Sequence, residues 1–235
     1  MKKYINLMLL TFILSIGFNV VPASKKEKKT PPDYDKIEKA VKSKKSEFYY
    51  PKLLERFKDA DPSMTLEEKR HLYYGYIFQK EYTSFSSNDY MYEARELLQK
   101  KNLKTKNMQK VIELTDAALE DDPLLIRAME YQLYMYDGMG MQDSFEFEKV
   151  MTKLGIIINA IMSSGDGLSK KSALYVIRVP DEYFMISVLG YEFGGAQSLI
   201  DHYDYLQLAE NNDKVKGLYF DISPSLKHMS KMFEE

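Results

Sequence analysis

Residues 108–136, MQKVIELTDAALEDDPLLIRAMEYQLYMY, hold two helical patterns that meet at one break. Met108, Val111, Ile112, Thr115 and Leu119 recur at helical spacing, and Ile126, Met129, Leu133 and Tyr136 do so again. Asp121-Asp122-Pro123 separates them. Asp122 is the expected cap of the second helix, with Pro123 at its first position. Such a helix–turn–helix hides its apolar stripes only against further helices. The chain is therefore expected to begin as stacked antiparallel α-hairpins.

Other segments agree with that constraint. Ile37, Ala40 and Val41 form a short stripe, as do Leu53, Leu54 and Phe57. Thr65 with Glu68 makes a capping box ahead of Leu66, Leu72, Tyr73, Tyr76 and Ile77. Ser87-Asn88-Asp89 caps a helix over 90–101. Residues 145–162 read as the most apolar helix of the mature chain and are expected to be the most buried. Ala118 with Pro123, and Gly75 with Phe78, have tetratricopeptide spacing. Thr115 and Asn102 stand where such repeats carry large apolar residues, which leaves repeat membership open.

Ser163-Ser164-Gly165-Asp166-Gly167 is the clearest boundary. Beyond it, ALYVIRV at 173–179 and YFMISVL at 183–189 are β-branched and aromatic, with Pro180-Asp181 between them, so a hairpin is expected. Gly190, Gly194 and Gly195 mark its exit. A third strand is expected at 199–208 and a half-buried one at 215–223, before a short helix through Leu226 and Met229. The fold class is α+β, a helical part over 34–164 followed by a small antiparallel β-sheet over 165–235. Helix 145–162 and the hairpin are both apolar on more than one side, so the helix is expected to cover one sheet face.

The N-terminus reads as an export signal. Lys2 and Lys3 precede the apolar run 5–21, and Val21-Pro22-Ala23 offers a cleavage point before Ser24. Residues 1–23 are thus a signal peptide and 24–33 a flexible leader, rich in Lys and Pro. A membrane contact arises only if the signal stays uncleaved. The absence of Cys excludes a disulfide scaffold, Cys zinc sites and thiol catalysis. The chain has 33 basic and 35 acidic residues; removing Lys2 and Lys3 leaves 31 against 35, a balance of −4. That is no nucleic-acid footprint.

Six segments carry a resemblance to a known family: YDKIEKAV at 34, FYYPKLLERF at 48, LYYGYIFQ at 72, LYVIRVPDEYF at 174, FGGAQSLIDHYDYL at 193 and GLYFDIS at 217. With them the chain resembles a secreted Bacteroidetes family, domain of unknown function 4919. The resemblance implies export and a Bacteroidetes-type host. It implies no reaction and no site residues.

The chain has three His: His71, His202 and His228. His202 lies in DHYDY at 201–205, where on a strand it would share a face with Asp204, opposite Tyr203 and Tyr205. A His beside carboxylates can serve as base or ligand. Asp181-Glu182, Glu192 and Asp221 come from the same region, where two opposed carboxylates would make a glycosidase-like pair, although turn residues and strand-edge charges are the commoner explanation. No nucleophile elbow, P-loop, zinc-protease helix or dinucleotide fingerprint is present, and neither a metal nor a cofactor is implied. The expected function is a non-catalytic envelope scaffold that binds a protein or peptide on a helical concavity or a sheet edge. The alternative is a hydrolase around His202, Asp204 and Asp181. A third reading takes tyrosines as a carbohydrate platform, with Tyr73, Tyr74, Tyr76, Tyr203 and Tyr205 as candidates.

Overall fold

A computed structural model describes residues 29–84, 88–100 and 102–234. The expected signal peptide lies outside them. Among the described residues there are nine α-helices and four strands. The helices of the first part are α1 (Tyr34–Lys42), α2 (Tyr50–Lys58), α3 (Leu66–Gly75), α4 (Asp89–Leu98), α5 (Thr105–Asp121), α6 (Ile126–Gly138) and α7 (Phe145–Met162). Neighbours in sequence pack together from α4 through α7, and α3 lies against α1, α2 and α7. Local signals set the ends: the capping box of Thr65 and Glu68 closes α3, and Asn88 and Ser144 accept backbone N–H bonds at the starts of α4 and α7.

Three expectations change in this part. Asp122 does not cap α6, which starts at Ile126 after Leu125. Asp122 ends α5 instead, and its carboxylate is drawn into the core by a distant cation. The more thoroughly buried helix is α6, with nine of its 13 residues buried against eight of 18 in α7. Helix α6 is flanked by both α5 and α7, while α7 leaves Phe145 in solvent. The end of the leader is held rather than flexible: Thr30 N–H donates to the Ser163 carbonyl (3.0 Å), and Arg70 donates to the carbonyls of Thr30 (3.0 Å) and Pro31 (3.2 Å).

The second part is β1 (Leu174–Tyr175), α8 (Val179–Val188), β2 (Phe193–Ile200), β3 (Tyr203–Leu208), β4 (Gly217–Asp221) and α9 (Ser223–Glu234). The sheet order is β1-β4-β3-β2. It is mixed rather than antiparallel, because β1 pairs parallel with β4. The expected hairpin is replaced by a two-residue strand and a helix. A short apolar run reads alike as buried strand or buried helix. Here Pro180, followed by Asp181 and Glu182, suits a helix start, where fixed φ and negative charge are both favoured. The expected strand at 199–208 is two strands, β2 and β3, joined by a turn at Asp201-His202, with Asp201 at φ 62°.

One hydrophobic cluster runs through both parts. It contains Phe57, Leu72, Met129 and Ile157 from the helices, and Leu174, Ile186, Leu206 and Phe220 from beyond Gly167. Helix α7 meets the sheet at β1. Helix α8 reaches the other end of the same face through Tyr183, whose hydroxyl donates to Gln197 on β2 (2.6 Å).

Candidate functional site

Two layers flank the sheet. The inner layer is a buried polar network built on the start of α8. Arg178 is 2% exposed. It pairs with the Asp122 carboxylate (2.9 Å) and donates to the Thr83 carbonyl (2.9 Å), and its guanidinium lies over the rings of Tyr76 and Tyr82. Tyr76 also donates to Asp122 (3.0 Å). Asp181 accepts from the Tyr73 hydroxyl (2.6 Å), which in turn accepts from Ile177 N–H (3.2 Å). Burial raises the Asp181 carboxyl to about 6, although Arg178 and Tyr73 pull the other way.

Glu182 is the unusual member. It is fully buried, and neither carboxyl oxygen has a hydrogen-bond partner among the described residues. Burial first, then the nearby carboxyls of Asp204 and Asp181, push it up to about 9. At neutral pH it is therefore a neutral acid. Asp204 faces it from β3, with one oxygen accepting from Gln197 of β2 and the other without a hydrogen-bond partner among the described residues.

The outer layer is aromatic. Alternation along β3 sends Asp204, Leu206 and Leu208 inward and leaves Tyr203 and Tyr205 half-exposed. Register places Tyr205 opposite Tyr219 of β4, with ring centroids 4.8 Å apart, and both Tyr203 and Tyr175 opposite Asp221. The Tyr205 ring lies close over Gly217; a Cβ there would run into its Cζ and hydroxyl. Beside this face β2 forms the sheet edge. All eight of its residues, FGGAQSLI, are exposed, with no charge and no proline among them. Phe193, Leu199 and Ile200 are exposed by 38, 58 and 38%. Gln197, held by Asp204 and Tyr183, anchors this edge to the inner network.

The sequence candidates separate accordingly. His202 sits in the β2–β3 turn, where alternation stops, and it does not share a face with Asp204. Its Nε2 is 3.4 Å from Asp221 and its ring 4.1 Å from Tyr203, so it belongs to the tyrosine face. Asp204 and Asp181 lie on the inner side around Glu182. The three residues are not brought into one site. Tyr73, Tyr74 and Tyr76 are at most 1% exposed and are core, with hydroxyls bonded to Asp181, to the Ala160 carbonyl and to Asp122. They offer no platform, because helix α3 is covered on several sides. Tyr203 and Tyr205 do reach the surface. Among the described residues no group of three or more His, Asp and Glu is placed to hold a metal ion.

Sequence reasoning named Glu182 only as one of several acids in the β region and missed its burial, the Arg178–Asp122 pair and the edge character of β2. Within FGGAQSLI, Gly194 and Gly195 read as punctuation and Leu199-Ile200 as the start of a strand over 199–208. The Arg and Asp signals were visible only singly, since 56 residues separate them.

No curated protein and no solved structure matches the chain. A family model described as a domain of unknown function, DUF4919, matches residues 35–231. That span takes in the whole of the sheet, the buried acids behind it and the helices that carry them, and the chain belongs to the DUF4919 family.

Proposed function

We propose that this protein is an exported, non-catalytic binding protein that takes an extended segment of an envelope partner as an added strand on β2. The observation that carries the reading is the open edge strand itself. Edge strands normally carry charge, proline or short length to prevent strand addition. Residues 193–200 carry no charge and no proline; the irregularity of the strand lies between Phe193 and Gln197, and in the regular run beyond it Leu199 and Ile200 supply apolar grip at the edge. The tyrosine face next to it, with Tyr203 and Tyr205, supplies aromatic contact for alternate side chains. Export rests on Lys2, Lys3 and the apolar run 5–21.

A hydrolase around His202, Asp204 and Asp181 has less support, because the sheet stands between His202 and the two acids.

Random decapeptides displayed on phage and selected on the immobilised protein provide the test. Selected peptides are expected to alternate apolar and polar residues. Leu199→Lys should weaken them at least tenfold while changing stability by less than about 0.5 kcal/mol, as for an exposed site. Failure to select any peptide, or full binding by Leu199→Lys, overturns the reading.

A further inference from the structure

A second concave region lies away from the sheet edge and shares no residue with β2. It is a cleft of about 380 Å³ between the start of α1, the turn after α3, and α9. Its volume is within the usual range for small-ligand sites. Its body is aromatic and apolar, from Tyr34, Ile77, Phe78 and Tyr82. The Tyr34 hydroxyl is buried and has no hydrogen-bond partner among the described residues.

The rim carries opposite charges on opposite walls. On α1 stand Asp35 and Glu38; on α9 stand Lys227, Lys231 and His228. Glu38 is already paired with Lys42 at 2.5 Å, on its own helix. Among the described residues, Asp35 has no cationic group within 4.0 Å, and neither Lys227 nor Lys231 has a carboxylate within that distance. The Glu38 carboxyl, lowered first by Lys42, is drawn down further by Lys227 and Lys231 across the cleft. The two amines thus face one acid without touching it, while Asp35 is unpaired among the described residues; all three can meet a ligand. His228 is fixed on the α9 wall, its Nδ1 3.0 Å from Ser84 Oγ and its ring edge-on to Tyr82.

We propose that this cleft binds a zwitterionic di- or tripeptide with an apolar or aromatic side chain. The terminal carboxylate meets Lys227 and Lys231, the terminal ammonium meets Asp35, and the side chain lies against Ile77 and Phe78. A ligand with one charge only would leave the opposite wall facing a like charge or nothing. A purely apolar one would leave both walls unmatched.

Isothermal titration of the protein with Phe-Phe, Leu-Phe and Ala-Phe, each free and with blocked termini, tests this. Free peptides should bind at least about tenfold more tightly than blocked ones, the scale of one lost charge-assisted hydrogen bond. Exposed Lys227 and Lys231, changed together to Gln, should remove the advantage of a free carboxylate and leave that of a free amine. Asp35→Asn should do the reverse. The variant Leu199→Lys should bind these peptides unchanged, which separates this site from the β2 edge. Absence of binding by all three free peptides overturns the proposal, as does equal binding of free and blocked forms.

Discussion

Glu182 shows how far a single position can depart from its behaviour in water. Its carboxyl has an ordinary value of 4.5 and is pushed up to about 9 in the fold. Between those values the folded chain holds a proton that the unfolded chain has released. Stability then falls as pH rises, by at most about 1.4 kcal/mol per pH unit. The loss begins near the unfolded value and is complete above about 9. Asp181, raised to about 6, adds to the slope at the lower end of the window. Glu182→Gln keeps the shape and removes the titration. Urea unfolding at pH 4, 6 and 8 should show the variant close to wild type at pH 4 and more stable by about 1–3 kcal/mol at pH 8. A difference that stays constant across the three pH values would mean that Glu182 titrates normally.

Among the elements, the loop that joins the helices to the sheet is tightly constrained. A Cβ at Gly165 would run into the carbonyl oxygens of Ser172 and Ala173. The obstacle is backbone, so no side-chain rotation relieves it. The same loop is pinned where Asp166 and Gly167 N–H groups both donate to the Ser172 carbonyl, at 2.9 and 2.8 Å. Gly165→Ala should cost about 2–4 kcal/mol, in the range of changes that force buried backbone apart. It should do so mainly by loosening β1 against β4, since Ser172 and Ala173 lead directly into β1. Amide exchange of Val176, whose N–H donates to Asp221, reports this locally. A variant with unchanged stability and unchanged protection at Val176 would show that the loop can relax.

At the scale of the whole molecule, helices and sheet draw on one apolar cluster. Tyr74 donates to a carbonyl of α7 and to one of β1, and Tyr82 donates to the Ile177 carbonyl (2.6 Å), so polar bonds cross the same seam. Ile158, 2% exposed on α7, is inside that cluster. Ile158→Ala should cost about 2–5 kcal/mol, as for a large-to-small change in a packed core. Far-UV circular dichroism and tyrosine fluorescence should still trace one coincident transition. Separate transitions, or a chain ending at Ser164 that unfolds cooperatively with undiminished stability, would show two independent cores.

Much of the helical part was legible because its signals are local. The 3.6-residue period, the Thr65–Glu68 box and the Asn88 cap act within one or two turns, and α7 runs over the expected 145–162. Alternation likewise marked β4, where Leu218 and Phe220 are buried and Tyr219 is half-exposed. The family resemblance was legible for the same reason, as short runs that keep their order. What the tertiary structure decided is non-local. The run 183–189 is apolar on more than one side, so its place in the shared core, together with Pro180 and the two acids at the helix start, makes it a helix rather than a strand. Asp122 is a core anion because Arg178 reaches it, and Tyr73 and Tyr76 are structural because acids from other elements receive their hydroxyls. His202 and Asp204 part company because one lies in a turn and the other on a strand. Spacing along a chain measures local geometry, whereas burial and charge pairing depend on which distant segments the fold brings together.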